Sequence, residues 1–194
     1  MNRLIAVVIF VALLTLGGCN AIENLSNSGT RLIVVSIQGK DLNGTLGNTI
    51  WSDVYTNESI LNTDAVLNLR ARLINPDVES VEQSHYNDVI VDRIDVHFTR
   101  TDGRNQALVD VPLPFSVPTN QYIVANDKDE TVLTFTLIRH TAKEEPPLRD
   151  LREIGQEHIL ILTANITVYA HDLAGNRLEP ATGWVEVHCA NFAD

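Results

Sequence analysis

Basic residues are scarce in this chain: 14 Lys and Arg stand against 25 Asp and Glu, a formal net charge of −11. Nucleic-acid backbones are held by clustered Lys and Arg, so this balance argues against a nucleic-acid partner. Catalytic signatures are missing as well. The 194 residues contain no His-Glu-x-x-His, Gly-x-Ser-x-Gly, Walker loop, dinucleotide fingerprint or Cys-x-x-Cys. A triad is set by geometry rather than by sequence position, so six His among many Ser and Asp carry no weight either way. No cofactor is implied. Two cysteines, Cys19 and Cys189, are too few for a disulfide framework. The apolar run over residues 4–14 falls short of the ~20 residues that a membrane-spanning helix needs.

What is present begins at the N-terminus. Arg3 precedes that apolar run, and Leu16-Gly17-Gly18-Cys19 follows it. Charge, apolar stretch and small residues in this order are those of a secretory signal. Leu16-Gly17-Gly18-Cys19 resembles the lipobox of bacterial lipoproteins. The resemblance implies cleavage before Cys19 and lipidation of Cys19 as the new first residue, with two or three acyl chains. One chain alone holds a membrane only marginally. Asn20 stands where Asp favours inner-membrane retention in enterobacterial lipoproteins, so the resemblance slightly favours the outer membrane over the inner. Cys189 then has no partner and reads as a small buried hydrophobe on the last strand. An anionic lipid surface would repel so acidic a domain, which leaves the acyl chains to hold it.

The chain divides into a signal peptide over residues 1–18, the lipidated Cys with a tether over 19–30, and a domain over 31–194. The tether is polar, small and aperiodic, with an r.m.s. reach of roughly 15–20 Å. The domain is long enough to bury a core without staples.

From Arg31 onward the period is two. Residues 32–37 are a β-branched run. Leu67, Leu69, Ala71 and Leu73 alternate with Asn68, Arg70 and Arg72; Ile94, Val96 and Phe98 with Arg93, Asp95 and His97. Val109, Val111, Leu113 and Phe115 form a further face, demoted to an edge strand because Pro112 and Pro114 cannot donate to a ladder. Leu133, Phe135 and Leu137 mark the next strand. Residues 144–153 read as a crossover loop with at most one helical turn after Pro146-Pro147. The longest strand places Leu162, Ala164, Ile166 and Val168 on one face and Thr163, Asn165, Thr167, Tyr169 and His171 on the other. Val185, Val187 and Cys189 lie on the last. Seven or eight strands, one-sided alternation and no long helix predict an all-β, antiparallel β-sandwich.

Residues 166–176, ending in Asp172-Leu173-Ala174-Gly175-Asn176, resemble the last hairpin of bacterial immunoglobulin-like or fibronectin III-like domains. The resemblance implies an immunoglobulin-like sandwich and no particular activity. Tyr86-Asn87-Asp88-Val89, Thr101-Asp102-Gly103-Arg104-Asn105 and Lys143-Glu144-Glu145-Pro146-Pro147-Leu148 are similar to an uncharacterised bacterial lipoprotein group, which likewise brings no activity.

Three candidate sites deserve weighing. Asn126-Asp127-Lys128-Asp129-Glu130 gathers oxygen ligands, making Asp127, Asp129 and Glu130 weak calcium candidates against the simpler reading of a solvated hairpin tip. The stretch from Asp41 opens like an EF-hand loop but has Leu46 where Gly is required and Ser52 in place of the bidentate Glu. For the histidines, pairing Val168 with Val185 would set His188 opposite Asn165, about 20 Å from His171, too far to share a metal. The third candidate is aromatic: Trp184 is predicted to point outward beside Glu186 and His188, with Tyr169 outward on the neighbouring strand. Such a patch has the composition of an interaction surface. The plainer alternative is that a loop such as 141–157 covers these aromatics. The expected function is a non-enzymatic structural or binding module for an envelope protein or glycan. A calcium-stabilised adhesion-type domain comes second and an envelope enzyme third.

Overall fold

The computed structural model describes residues 28–41, 44–56, 58–74, 84–126, 128–154 and 158–192. The signal-peptide and Cys19 expectations fall on residues 1–27 and lie outside them. Nine strands occur among the described residues: β1 (Thr30–Lys40), β2 (Leu46–Gly47), β3 (Thr49–Asp53), β4 (Thr63–Leu73), β5 (Val89–Thr99), β6 (Phe115–Ile123), β7 (Thr131–Ile138), β8 (Leu160–Asp172) and β9 (Ala181–Ala190). They form two sheets, β2-β1-β4-β7 and β3-β9-β8-β5-β6. The expected all-β sandwich is what the chain forms. Its run β9-β8-β5-β6 facing β1-β4-β7 follows the immunoglobulin order G-F-C-C′ facing A-B-E. The count runs past eight because β2 is a two-residue ribbon, and every pairing is antiparallel except β3 with β9.

Alternation builds the core. Leu67 and Leu69 from β4, Ile94 and Val96 from β5, Leu162 and Ile166 from β8 and Val185 and Val187 from β9 are all at most 1% exposed. Cys189 joins them, its thiol pushed up to about 12 by burial, against the opposing pull of Lys143 and Ser52. That is the inert, hydrophobe-like cysteine expected of the last strand.

β3 switches sheets. After a turn in which Gly44 takes φ +81 and the Asp41 carboxylate accepts the Thr45 N–H at 2.8 Å, the chain leaves β1 and runs parallel to β9. The crossing needs a glycine: a Cβ on Gly39 would lie 2.5 Å from Cγ1 of the fully buried Ile50.

Two expectations need correction. The 109–115 strand does not form. Residues 106–111 close a tight turn, with Asp110 N–H to Gln106 O at 2.8 Å and Leu108 N–H to Val111 O at 2.8 Å, and the edge strand starts only at Phe115. Two prolines within four residues remove the donors that a ladder there would use. The β8–β9 register also differs: Val168 faces Ala181, Val185 faces Ala164, and His188 faces Ile161. β9 begins at Ala181, four residues ahead of Val185. The connection from β8 starts with the Asp172 turn, with Gly175 at φ +88 and the Asn176 N–H on the Asp172 carboxylate at 2.8 Å. The 144–153 crossover holds the one helical turn expected after Pro146-Pro147, α2 (Leu151–Ile154), and a further single turn, α1 (His140–Lys143), precedes it.

Two buried carboxylates tie the end of the sandwich where β1 begins. Asp88, 3% exposed, accepts the Ala125 N–H at 2.9 Å, the Tyr122 hydroxyl and the His85 ring at 3.1 Å. Burial pushes its pKa up, but those bonds outweigh burial and hold it below the ordinary value. Asp172 behaves alike, with burial opposed by Asn176, Ser28 and the Ala174 N–H.

Two outcomes are expected. Gly39→Ala should lower stability by ~1–3 kcal/mol in urea unfolding, because the added methyl meets a packed core. Gly47→Ala, whose Cβ meets nothing within 4 Å, should change it little. Because both carboxylates have lowered folded pKa values, their contribution is present above the unfolded value of about 4 and is lost as pH falls through the folded values. Asp88→Asn should flatten the fall of stability with acid below about pH 4, measured by urea midpoints at stepped pH; an unchanged slope would contradict the assignment.

Candidate functional site

Outward positions two apart along β9 carry Trp184, Glu186 and His188, a spacing of about 7 Å per step. Trp184 is 70% exposed, and its register partner is Asn165 on β8, itself opposite His97 on β5. The His188 ring nitrogen Nε2 lies 2.6 Å from Glu186 Oε1. Its ring also stands edge-on to Trp51, centroids 4.8 Å apart, and Trp51 packs against Phe192 at 5.3 Å. Trp51 reaches this face because β3 pairs it with His188. The described part of the 141–157 loop, residues 141–154, docks elsewhere. Arg152 of α2 donates to Lys143 O at 2.6 Å and accepts from Asn191 at 3.3 Å, beyond the end of β9, which leaves Trp184 uncovered.

Tyr169 does not join this group. It faces outward on β8, four residues from Asn165 or about 14 Å along the strand. The Arg93 guanidinium covers its ring at 4.2 Å, and Arg93 in turn pairs with Asp95 at 2.9 Å. Four expected patch residues therefore divide into three on β9 and one apart, while Trp51, Phe192 and Ile161 are brought in by pairings with no local sequence signal.

A concavity of about 500 Å3 opens at the end of the sandwich away from Thr30, with Trp51, Leu61, Asp53, Asp64 and Lys143 in its wall. Lys143 is 2% exposed and donates to Asp53 O at 2.6 Å. Burial pushes its ammonium down, partly offset by Cys189, Asp53 and Asp64. Asp53 spends its own oxygens on the Tyr55 N–H at 3.2 Å, the Phe192 N–H at 3.2 Å and Thr56 Oγ1 at 2.9 Å. These polar groups answer one another across the junction of β3 with the crossover, a structural arrangement of a buried cation with its acceptors.

Of the calcium candidates, Asp127 lies outside the described residues. The Asp129 carboxylate accepts from Asn126 at 2.7 Å, and Glu130 pairs with Arg70 at 2.5 Å. Among the described residues no group of three or more His, Cys, Asp or Glu is placed to hold a metal. His171 sits against Asp92 at 2.9 Å, ten residues along β8 from the partner of His188, or about 34 Å.

No protein-family model matches the chain, and no curated protein matches it in sequence.

Trp184→Ala should leave the urea midpoint within about 0.5 kcal/mol of the parent, as for a surface residue. It should also remove the emission most accessible to acrylamide, leaving the shielded Trp51. A midpoint drop of more than about 2 kcal/mol would show that Trp184 is part of the packing.

Proposed function

We propose that this chain is an envelope lipoprotein, held in a membrane through lipid on Cys19, whose β-sandwich acts as a non-enzymatic binding module. Trp184, Glu186 and His188 on the outer face of the five-stranded sheet form its contact surface for an envelope protein or a glycan. The observation that carries the reading is the 70% exposure of Trp184 on an outer sheet face with a carboxylate–imidazole pair beside it. Large aromatic side chains left open to water are enriched at interaction surfaces, where they supply contact area at low conformational cost. In the larger concavity Lys143 donates to the Asp53 carbonyl and the Asp53 carboxylate is taken up by Thr56 and neighbouring N–H groups, which supports a structural role for these two residues. Leu16-Gly17-Gly18-Cys19 supports the anchor, and Asn20 slightly favours the outer membrane. Among the described residues no helix is long and apolar enough to cross a membrane.

The test is in-cell photocrosslinking from Thr182, exposed on the same face and two positions from Trp184, followed by mass spectrometry. One dominant protein or glycan adduct is expected, falling at least tenfold when Trp184→Ala is added. Adducts that are diffuse, or indifferent to Trp184→Ala, would refute the contact surface.

A further inference from the structure

An edge strand offers unpaired N–H and C=O groups to any other strand that can reach them. Among the described residues the edges are β2 and β7 of one sheet and β3 and β6 of the other. Three of them carry protection. β2 is two residues long and β3 five, while β6 holds Pro118 and faces a register shift between Val91 and Arg93 of β5. β7 has none of these devices. Its eight residues read Thr-Val-Leu-Thr-Phe-Thr-Leu-Ile, with no charge, Pro or Gly, and pair regularly with β4 from Thr131 to Thr136. Alternate residues of such a strand turn both N–H and C=O away from the strand they pair with. Among the described residues, the β7 backbone is hydrogen-bonded to β4 and to nothing else.

The chemistry of this edge matches a second copy of itself. Val132, Thr134 and Thr136 lie on the outer side of the sheet, with Val132 61% exposed, while Phe135 and Leu137 are buried in the core. Asp129 and Glu130 stand just before the strand, and Arg139 and His140 just after it. Antiparallel pairing of β7 with β7 sets the acidic start of each copy against the basic end of the other. Parallel pairing would set like charges together, at a cost in stability. With Thr134 opposite Thr134 of the second copy, Val132 meets Thr136 and Asp129 comes alongside Arg139. Arg139 suits that place. Its guanidinium reaches from the end of β7 to lie 4.4 Å over the Phe115 ring on β6, and its Nε is buried with no hydrogen-bond partner. Glu130 already engages Arg70 at 2.5 Å, whereas the Asp129 carboxylate accepts from the neutral Asn126 at 2.7 Å.

We propose that two copies of this chain join edge to edge through β7, antiparallel about a two-fold axis at Thr134, so that their four-stranded sheets become one. A two-fold contact of this kind closes on itself, which ends growth at the dimer. Trp184 belongs to the other sheet, so each copy keeps its own outer face open. The contact involves no lipid and stands or falls separately from the anchor.

The experiment is sedimentation of the full chain in density-matched detergent, at protein concentrations from ~1 to ~100 μM. A dimer is expected within that range. Thr134 is exposed, so Thr134→Arg and Thr134→Glu should each leave circular dichroism unchanged. Each puts like charges directly opposite one another across the two-fold axis, and each should weaken the dimer at least ~tenfold. Mixing the two variants should restore it as a heterodimer, because opposite charges then meet. A parent chain that stays monomeric at ~100 μM would overturn the proposal, as would a dimer indifferent to Thr134→Arg. Variants that remain monomeric when mixed would overturn the pairing at Thr134. Hydrogen exchange of the parent needs no substitution: amides of residues 131–136 should gain protection between ~1 and ~100 μM while those of β6 do not. Protection gained elsewhere and not in β7 would overturn the contact even if a variant failed to fold.

Discussion

Strict two-residue alternation along β8 is the constraint on which the sandwich depends. β8 pairs with β5 on one side and β9 on the other, and its inward residues Leu162, Ala164, Ile166 and Val168 are at most 1% exposed. A slip of one residue would send that row into water and bring Asn165, Thr167 and Tyr169 into the core. The same register sets Trp184 opposite Asn165 on the outer face. Core packing and the presented surface are thus two faces of one pairing.

That pairing explains what could be read from the sequence. Inward rows such as Leu67-Leu69-Ala71 and Val185-Val187-Cys189 are visible because burial on one face imposes a local period. The Asp172 turn is visible because Gly175 and a capping carboxylate are local chemistry. Outwardness of Trp184 follows from the same alternation. What depends on chain path was not visible. The parallel pairing of β3 with β9 arises from a switch between sheets, made possible by the missing side chain of Gly39 against Ile50, and no period announces it. It is this switch that brings Trp51 to His188. The β8–β9 register depends on the length of an irregular connection, so Tyr169 could be placed on the right face but not at the right distance from Trp184. Residues 109–115 keep an alternating pattern without forming a strand, since hydrogen-bond donors and not apolar spacing decide there. Lys143 reads as a surface charge and is buried, because its acceptor is the carbonyl of Asp53 from a strand ninety residues away.

The two ends of the sandwich differ in chemistry. At the end where β1 begins, Asp88 and Asp172 draw together backbone and side-chain donors, holding the entry of the chain in a fixed geometry. At the other, Lys143, Asp53 and the α1–α2 crossover close the core beneath Trp51. Between them the outer face of the five-stranded sheet stays open. An open side face suits the proposed role of holding a partner close to a membrane.

The central claim is that this sandwich works from a lipid anchor, and the most direct measurement is the intact mass and N-terminal sequence of the protein recovered from its native envelope. The account predicts a chain beginning at Cys19 and heavier than its amino-acid mass by two or three acyl chains with their glycerol. A chain that retains residues 1–18, or begins elsewhere with Cys19 absent or unmodified, would contradict it.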